Sequence, residues 1–386
     1  MRILLTTDAF TPTTNGVVTS IVNLRQGLTQ AGHDVRILTL AHAHTSYYQN
    51  GVWYLGSLSS DRLYPGTRIR GTFAKKIVRE IIRWNPDVVH SQCEFSTFSL
   101  AKRIAYASGA PLVHTYHTLY ENYTDYFSPS ERLGHIMAQR FSKRILSKVD
   151  YVIAPTAKTK RLLRSYGVEG PIDVVPSGID LARFSPTNKG KEIETLRASL
   201  GIPKDNFVLV YVGRLAVEKR IEELISNFSL AKQDRTLLLV GDGPQRQTLE
   251  QMVAARGLQK HVIFAGMQKQ EVIPAYYHLG SVFCSASTSE AQGLTYIEAL
   301  ASGLPVLCRA DDSLAEVVRD GENGWQYRTN EEFHHYLDLL SNDEPLRLRL
   351  SEQALITSKP FDTQTFAASL LSIYEKLIKQ SRLYSA

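Results

Sequence analysis

The amino-acid sequence predicts an α/β protein made of two doubly wound lobes. Three observations carry that reading. Short β-rich apolar runs alternate with amphipathic stretches, the rhythm restarts halfway along the chain, and 386 residues give each half enough length to bury its own core. The composition is 43% hydrophobic and 21% charged, without a low-complexity tract, which is that of a soluble globular protein rather than a disordered or fibrous one.

In the first half, Ile3–Thr6, Asp34–Leu40, Asp87–His90, Leu112–Tyr116 and Tyr151–Ala154 read as strands, with helices at about 17–31, 72–84, 97–108 and 129–148. The opening Met1-Arg2-Ile3-Leu4-Leu5 is soon interrupted by Asp8, so it reads as a first buried strand and not as a signal peptide. Near the middle, Val174-Val175-Pro176-Ser177-Gly178-Ile179-Asp180 ends a strand in a Pro/Gly turn, and the polar stretch from Phe184 to about residue 192 reads as a linker. The second half has strands at Phe207–Val212, Thr236–Val240, Val262–Ala265, Ser281–Cys284 and Pro305–Cys308. After Asp362, the apolar positions Phe366, Leu370, Ile373 and Leu377 mark a helix with one apolar face. The domains expected are residues 1–176, joined by the C-terminal helix 362–386, and residues 177–361.

Several classes are excluded. No apolar run approaches the roughly 18 residues of a membrane span. Cys93, Cys284 and Cys308 show neither a CxxC nor a metal-ligand spacing, so a reducing cytoplasm is expected, and the sequons at Asn122 and Asn227 are chance matches. The net charge of +6 is unevenly spread. Residues 1–180 hold 21 basic against 13 acidic side chains, and the remainder 23 against 25. A basic lobe beside a near-neutral one points to an anionic partner for the first. No nucleic-acid recognition motif accompanies the charge, so nucleic acid is not expected to be that partner.

Ligands of doubly wound sheets bind beyond the carboxyl ends of the strands, and the motifs lie there. After Phe207–Val212 come Gly213-Arg214-Leu215 and Glu218-Lys219, where Arg214 offers a fork of donors and Lys219 a point charge for one diphosphate. Taken alone, such a pair is as often an ordinary surface pair. Gly241-Asp242-Gly243-Pro244 follows the next strand; it is not a GxGxxG fingerprint, and it suits either a close backbone approach to a ligand or a plain strand-to-helix turn. The most specific element is Ser289-Glu290-Ala291-Gln292-Gly293-Leu294-Thr295-Tyr296-Ile297-Glu298-Ala299. A helix starting near Gly293 exposes free N–H groups to a phosphate, with Glu290 on the loop before it and Glu298 about a turn inside. The plainer alternative is that Glu290 caps this helix and Glu298 is solvated.

In combination, these segments resemble the retaining GT-B glycosyltransferases of family GT4, whose fold is two Rossmann-like lobes with an interlobe cleft and a C-terminal helix. The likeness extends over nearly the whole chain: Asp8-Ala9-Phe10-Thr11-Pro12 with Asn15-Gly16-Val17, Asn85-Pro86-Asp87-Val88-Val89-His90, His114-Thr115-Tyr116-His117, and Val175-Pro176-Ser177-Gly178-Ile179-Asp180. The resemblance implies that Arg214 and Lys219 hold the donor diphosphate as it leaves. It implies that Glu290, with the backbone of Gln292, Gly293 and Leu294, meets donor sugar hydroxyls, and that Glu298 grips the ribose. Gly16 is implied at a helix N-terminus facing the diphosphate, Gly241 among the donor contacts, and His117 near the reacting carbon, although a histidine at a strand end can also be a hydrogen-bonded core residue. No Asp-x-Asp triplet is present, so no metal is expected and a nucleotide sugar is the co-substrate.

The finer likeness is to bacterial diacylglycerol glucosyltransferases, carried by His117-Thr118-Leu119-Tyr120-Glu121-Asn122-Tyr123-Thr124-Asp125-Tyr126 and Asn15-Gly16-Val17-Val18-Thr19-Ser20. It implies UDP-glucose as donor, a diacylglycerol or monoglycosyl-diacylglycerol acceptor, and a peripheral place on the inner face of the cell membrane. Tyr120, Tyr123 and Tyr126 become candidates for the acceptor mouth. Lys75, Lys76, Arg79 and Arg83, then Arg140, Lys143, Arg144 and Lys148, are candidates for contact with anionic lipid. The apolar stripe Phe73, Ile77, Ile81 and Trp84 is expected to be core, and both basic helices are expected to be crossover helices packed on the sheet. The competing readings are a family member with a soluble or polyprenyl-linked acceptor, such as a mannosyltransferase using GDP-mannose, and a protein that binds nucleotide sugar without catalysis.

Overall fold

The computed structural model describes every residue except 14, 60–67, 71–73, 122–127, 129, 187–189, 229–233 and 386. The chain divides into two compact units, one formed by Met1–Ile179 with Asp362–Ala386, the other by Asp180–Phe361.

The first unit runs β1 (Arg2–Thr6), α1 (Gly16–Gln30), β2 (Asp34–Leu40), β3 (Tyr47–Gln49), β4 (Val52–Leu55), β5 (Ser57–Ser59), β6 (Arg68–Arg70), α2 (Lys75–Trp84), β7 (Val88–Ser91), α3 (Ser96–Ser108), β8 (Leu112–Thr115), α4 (Glu131–Leu146), β9 (Tyr151–Ala154), α5 (Ala157–Ser165) and β10 (Ile172–Val174). Its main sheet has the order β10-β9-β8-β7-β1-β2-β4-β3, parallel except for β3 on β4. The central strand β1 lies between β2 and β7, and Ile3, Leu4 and Leu5 are fully buried, as both faces are covered by crossover helices. The chain reverses its direction of winding between β1 and β7, so the loops after these strands flank the crevice where such sheets take ligands.

The second unit runs α6 (Leu181–Phe184), α7 (Gly190–Ser199), β11 (Phe207–Val212), α8 (Ile221–Phe228), β12 (Arg235–Val240), α9 (Arg246–Ala255), β13 (Val262–Gly266), α10 (Ile273–Leu279), β14 (Val282–Ser285), α11 (Leu294–Ala301), β15 (Val306–Arg309), β16 (Gly324–Tyr327), α12 (Asn330–Asn342) and α13 (Glu344–Ser358). Its six strands are ordered β13-β12-β11-β14-β15-β16, all parallel. Winding again reverses beside the first strand, between β11 and β14.

The helix α14 (Thr363–Ser385) returns to the first unit. Phe366, Ala367, Leu370, Tyr374 and Leu377 join the core that also contains Ile21, Leu24 and Leu28 of α1. The approach needs Gly27, where a Cβ would sit 2.7 Å from the Thr363 carbonyl oxygen and 2.8 Å from the Ala367 Cβ. Tyr374 also carries a hydroxyl 2.5 Å from His90 Nδ1, so this helix supports the histidine-bearing end of β7.

One sequence expectation is corrected here. Of the stretch from Phe184 to residue 192, expected to be a linker, the described ends pack as parts of the second unit, and residues 187–189 lie outside the described residues. Phe184 is buried with its ring edge-on to Tyr277 at 5.9 Å, and α7 begins at Gly190. Polarity marked the segment, but one aromatic anchor decides where it packs.

Candidate active site

In the second unit, the strand-end loops of β11 and β14 are drawn together by an ion pair. Lys219 Nζ donates to Glu290 Oε1 at 2.7 Å, with the two side chains 21% and 14% exposed. Ser289 Oγ donates to the Glu218 carbonyl at 3.1 Å, and Ser313 Oγ donates to the Glu290 carbonyl at 2.6 Å. The loop that carries Glu290 is therefore held on both sides by hydroxyls. Arg214 is half-buried just beyond β11, and its carbonyl accepts from Tyr211 at 3.0 Å.

The helix α11 begins at Leu294 with Gly293 as N-cap at φ 80°, a left-handed conformation that favours glycine, and no side chain caps it. Glu290 is thus engaged by Lys219 and does not cap the helix. Nor is Glu298 simply solvated. It is half-buried, Tyr277 donates to its Oε2 at 2.9 Å, and burial pushes its carboxyl up to about 7 against that hydrogen bond and the Arg183 charge. The close approach that Gly241 allows is to backbone: at φ 139°, a Cβ would lie 1.9 Å from the Gly213 carbonyl oxygen. This approach locks the turns after β11 and β12 against each other.

In the first unit, three histidines gather at the ends of β7 and β8. His90 bonds Tyr374 and, through Nε2, Thr115 Oγ1 at 2.7 Å. His114 Nε2 lies 3.3 Å from Glu94 Oε1. His117 Nε2 lies 2.7 Å from Gln92 Oε1. Burial lowers His117 to about 4, with Glu94 opposing and His114 assisting, and holds His90 well below its usual value. Both rings are therefore neutral at physiological pH. Asp8 accepts from the backbone N–H groups of Thr97 at 2.7 Å and Ser96 at 3.1 Å, binding the loop after β1 to the start of α3, and burial raises its carboxyl. Burial also pushes the Cys93 thiol up to about 12, which removes it as a nucleophile. Gly16 is the exposed first residue of α1, whose N-cap Asn15 accepts from Val18 N at 2.9 Å.

The two basic helices differ. In α2, Ile77 and Ile81 are core while Lys75, Lys76, Arg79 and Arg83 are exposed, as expected. In α4 the basic side chains are exposed over a packed face, as expected, but that face is built of small residues. Its buried positions are Gly134, Ala138, Ser142 and Leu146, whereas Leu133, Ile136 and Met137 are exposed beside Arg140, Lys143 and Arg144. Small residues let the helix lie close, and the large apolar ones face outward. Phe73, Tyr123 and Tyr126 lie outside the described residues. Among the described residues, no helix is long and apolar enough to cross a membrane, and no group of three or more His, Cys, Asp or Glu side chains could hold a metal ion.

The profile of Glycosyltransferase Family 4 matches residues 14–183, and that of Glycosyl transferases group 1 matches 192–356. Alpha-monoglucosyldiacylglycerol synthase of Acholeplasma laidlawii is 32% identical over 99% of this chain and 98% of its own. The chain belongs to glycosyltransferase family 4. A second family member, Alpha-monoglucosyldiacylglycerol synthase of Streptococcus pneumoniae, is 34% identical over 85% of this chain and 75% of its own. The GT-B fold of the family is shared with Anabaena Alr3699/HepE, solved in complex with UDP and glucose, at a TM-score of 0.77 and 19% identity over 97% of this chain and 100% of that one. Sucrose-phosphate synthase from Thermosynechococcus elongatus has the same fold at a TM-score of 0.77 and 22% identity, over 98% of this chain and 99% of that one. The chain is thus a glycosyltransferase.

Sequence reasoning singled out His117 and Tyr120 but not the side chains that hold them. Gln92 and Glu94 lie about 25 residues earlier, on the loop after β7, and Tyr120 donates to Glu94 Oε2 at 2.6 Å. Their position just beyond a strand at the winding reversal was the available signal.

Proposed function

We propose that this glycosyltransferase moves glucose from UDP-glucose, with retention and without a metal ion, onto diacylglycerol or its monoglucosylated form at an anionic membrane surface. The observation that carries the reading is the Lys219–Glu290 pair at the winding reversal of the second unit. It presents a cation and a hydroxyl-binding carboxylate side by side, beside the uncapped start of α11. Arg214, Lys219 and the N–H groups at Gly293 and Leu294 hold the diphosphate, and they stabilise the charge that grows on it as the glycosyl bond breaks. Glu290 and the adjacent backbone of Gln292 meet sugar hydroxyls, and Glu298 accepts from the ribose. Gly16 at the start of α1 and the neutral ring of His117 are the candidate donor contacts of the first unit. The leaving phosphate takes the acceptor proton, so no second carboxylate is needed at the attacking face.

The acceptor reading is supported by the names of the two synthases above and by the surface of the first unit. Exposed Lys75, Lys76, Arg79 and Arg83 on α2, with Arg140, Lys143, Arg144 and Lys148 on and after α4, suit anionic lipid, and Leu133, Ile136 and Met137 suit its apolar interior. On this reading the enzyme works at the inner face of the cell membrane. The test is release of UDP or GDP from a panel of nucleotide sugars, with and without vesicles containing diacylglycerol. UDP release that depends on both UDP-glucose and diacylglycerol is expected. Equal turnover with a soluble acceptor and no lipid would overturn the acceptor, and preference for GDP-mannose would overturn the donor.

A further inference from the structure

Phe95 is 58% exposed on the loop between β7 and α3, the same loop that carries Gln92 and Glu94. Its ring is stacked on Phe141 of α4 at 5.7 Å and lies edge-on to Tyr120 at 6.1 Å, while Tyr120 meets Phe141 edge-on at 5.4 Å. The hydrogen bonds Tyr120–Glu94 and His117–Gln92 lace this loop to the one that carries His117. Tyr116 hydroxyl and Ser142 Oγ, 2.8 Å apart, fasten the start of that second loop to α4. On α4, Met137 stands one turn before Phe141 and Leu133 one turn before Met137, so an exposed apolar row continues from the Phe95 ring along the helix. A lone exposed apolar residue needs no explanation, but a contiguous row that ends beside a candidate reacting centre does.

We propose that Phe95, Phe141 and Tyr120 form a platform for the glycerol-proximal part of an acyl chain, and that this platform selects a diacylated acceptor over a water-soluble one. The proposal rests on the lipid-acceptor reading above. A soluble sugar or inositol needs polar partners around its ring. Here the Tyr120 hydroxyl and the Glu94 Oε2 it faces are spent on each other, which leaves aromatic surface. The row along α4 supplies the continuity, because a chain leaving the bilayer at Leu133 and Met137 reaches Phe95 without crossing a charged side chain of that row.

The experiment compares the wild type, Phe95→Ala and Phe95→Leu. Initial rates are measured against the mole fraction of dioleoylglycerol in phosphatidylglycerol/phosphatidylcholine vesicles, together with UDP-glucose KM and vesicle co-sedimentation. Removing the exposed ring raises the KM for dioleoylglycerol by roughly tenfold. Phe95→Leu, which keeps apolar area, recovers most of the loss. UDP-glucose KM and co-sedimentation stay at wild-type values, which a merely structural role or a general docking role would not allow. An unchanged dioleoylglycerol KM in Phe95→Ala overturns the proposal, as does a loss that co-sedimentation matches in size. If the wild type itself glucosylates no dioleoylglycerol in any vesicle, the lipid-acceptor reading fails first, and the wild-type rates alone reveal it.

Discussion

The two units place their candidate residues at the same topological position, beyond strands on either side of a winding reversal, and fill it with opposite chemistry. In the second unit the groups are charged, partly exposed and paired with each other, as with Lys219 and Glu290. In the first, the imidazoles of buried His90 and half-buried His117 are neutral, held by uncharged partners such as Gln92 and Thr115, and bordered by aromatic rings. A partly exposed ion pair can exchange its partner for a diphosphate at little cost, since water already screens both charges. A buried neutral ring cannot bring in charge without a desolvation penalty. The difference supports the proposed reading, in which the anionic donor is held chiefly by one unit and the apolar acceptor by the other.

The largest effect that could break this division concerns the surface of the first unit. Changing Lys75, Lys76, Arg79 and Arg83 together to glutamate is expected to lower affinity for anionic vesicles by several powers of ten, at on the order of 1 kcal/mol per basic residue, and to leave UDP affinity intact. Co-sedimentation at graded anionic content and salt measures it. Equal binding of the native chain to neutral and anionic vesicles would assign the basic surface to another partner.

Next in size is the charge of the second unit. Arg214→Ala and Lys219→Ala are each expected to reduce kcat more than donor binding, by about 10- to 150-fold for a charge-assisted hydrogen bond of roughly 1.5–3 kcal/mol. Steady-state kinetics against UDP-glucose settles it, and native turnover in both variants would end the assignment.

Glu298 sharpens the comparison through pH. Its carboxyl is raised to about 7, so the ionised form proposed to accept ribose hydroxyls is lost as pH falls through 7, and UDP affinity should weaken by a few-fold on that side. Folding shows the opposite trend. Between the ordinary carboxyl value of 4.5 and about 7, the folded state binds more protons than the unfolded one, so this group's contribution to stability falls as pH rises. Calorimetric UDP titrations and melting curves from pH 5.5 to 8.5 should diverge in this way for the native chain and not for Glu298→Gln. His117, at about 4, adds no titration in that range. The smallest expected effect is none at all: turnover should survive EDTA, because in the proposed site Arg214, Lys219 and the start of α11 hold the diphosphate, and strict dependence on added Mg²⁺ or Mn²⁺ would refute this.

The site of the second unit was largely legible before folding because its determinants are local. The run from Ser289 to Ala299 carries its own loop, glycine N-cap and helix, and α11 starts one residue after the expected Gly293. The first unit was less legible. Gln92 and Glu94 gain their significance from His117 and Tyr120, which lie 25 and 26 residues away. The outward face of α4 was hidden for a different reason. Apolar periodicity points a helix's large side chains inward, and here Gly134, Ala138 and Ser142 take that place.

What the sequence determined by itself was the class of each segment and the order of its motifs. Strand alternation, Gly and Pro breaks, and the placing of Arg214, Lys219, Glu290 and Glu298 beyond strands all depend on neighbours within a few residues. Only the tertiary structure decided which unit α14 joins, through the room left at Gly27, and which way the Glu298 carboxyl and the His90 and His117 imidazoles are shifted, through the desolvation each meets in the fold. It also decided that Phe95, Tyr120 and Phe141 share one patch. Packing density and desolvation belong to groups far apart in the chain, and no local pattern of residues encodes them.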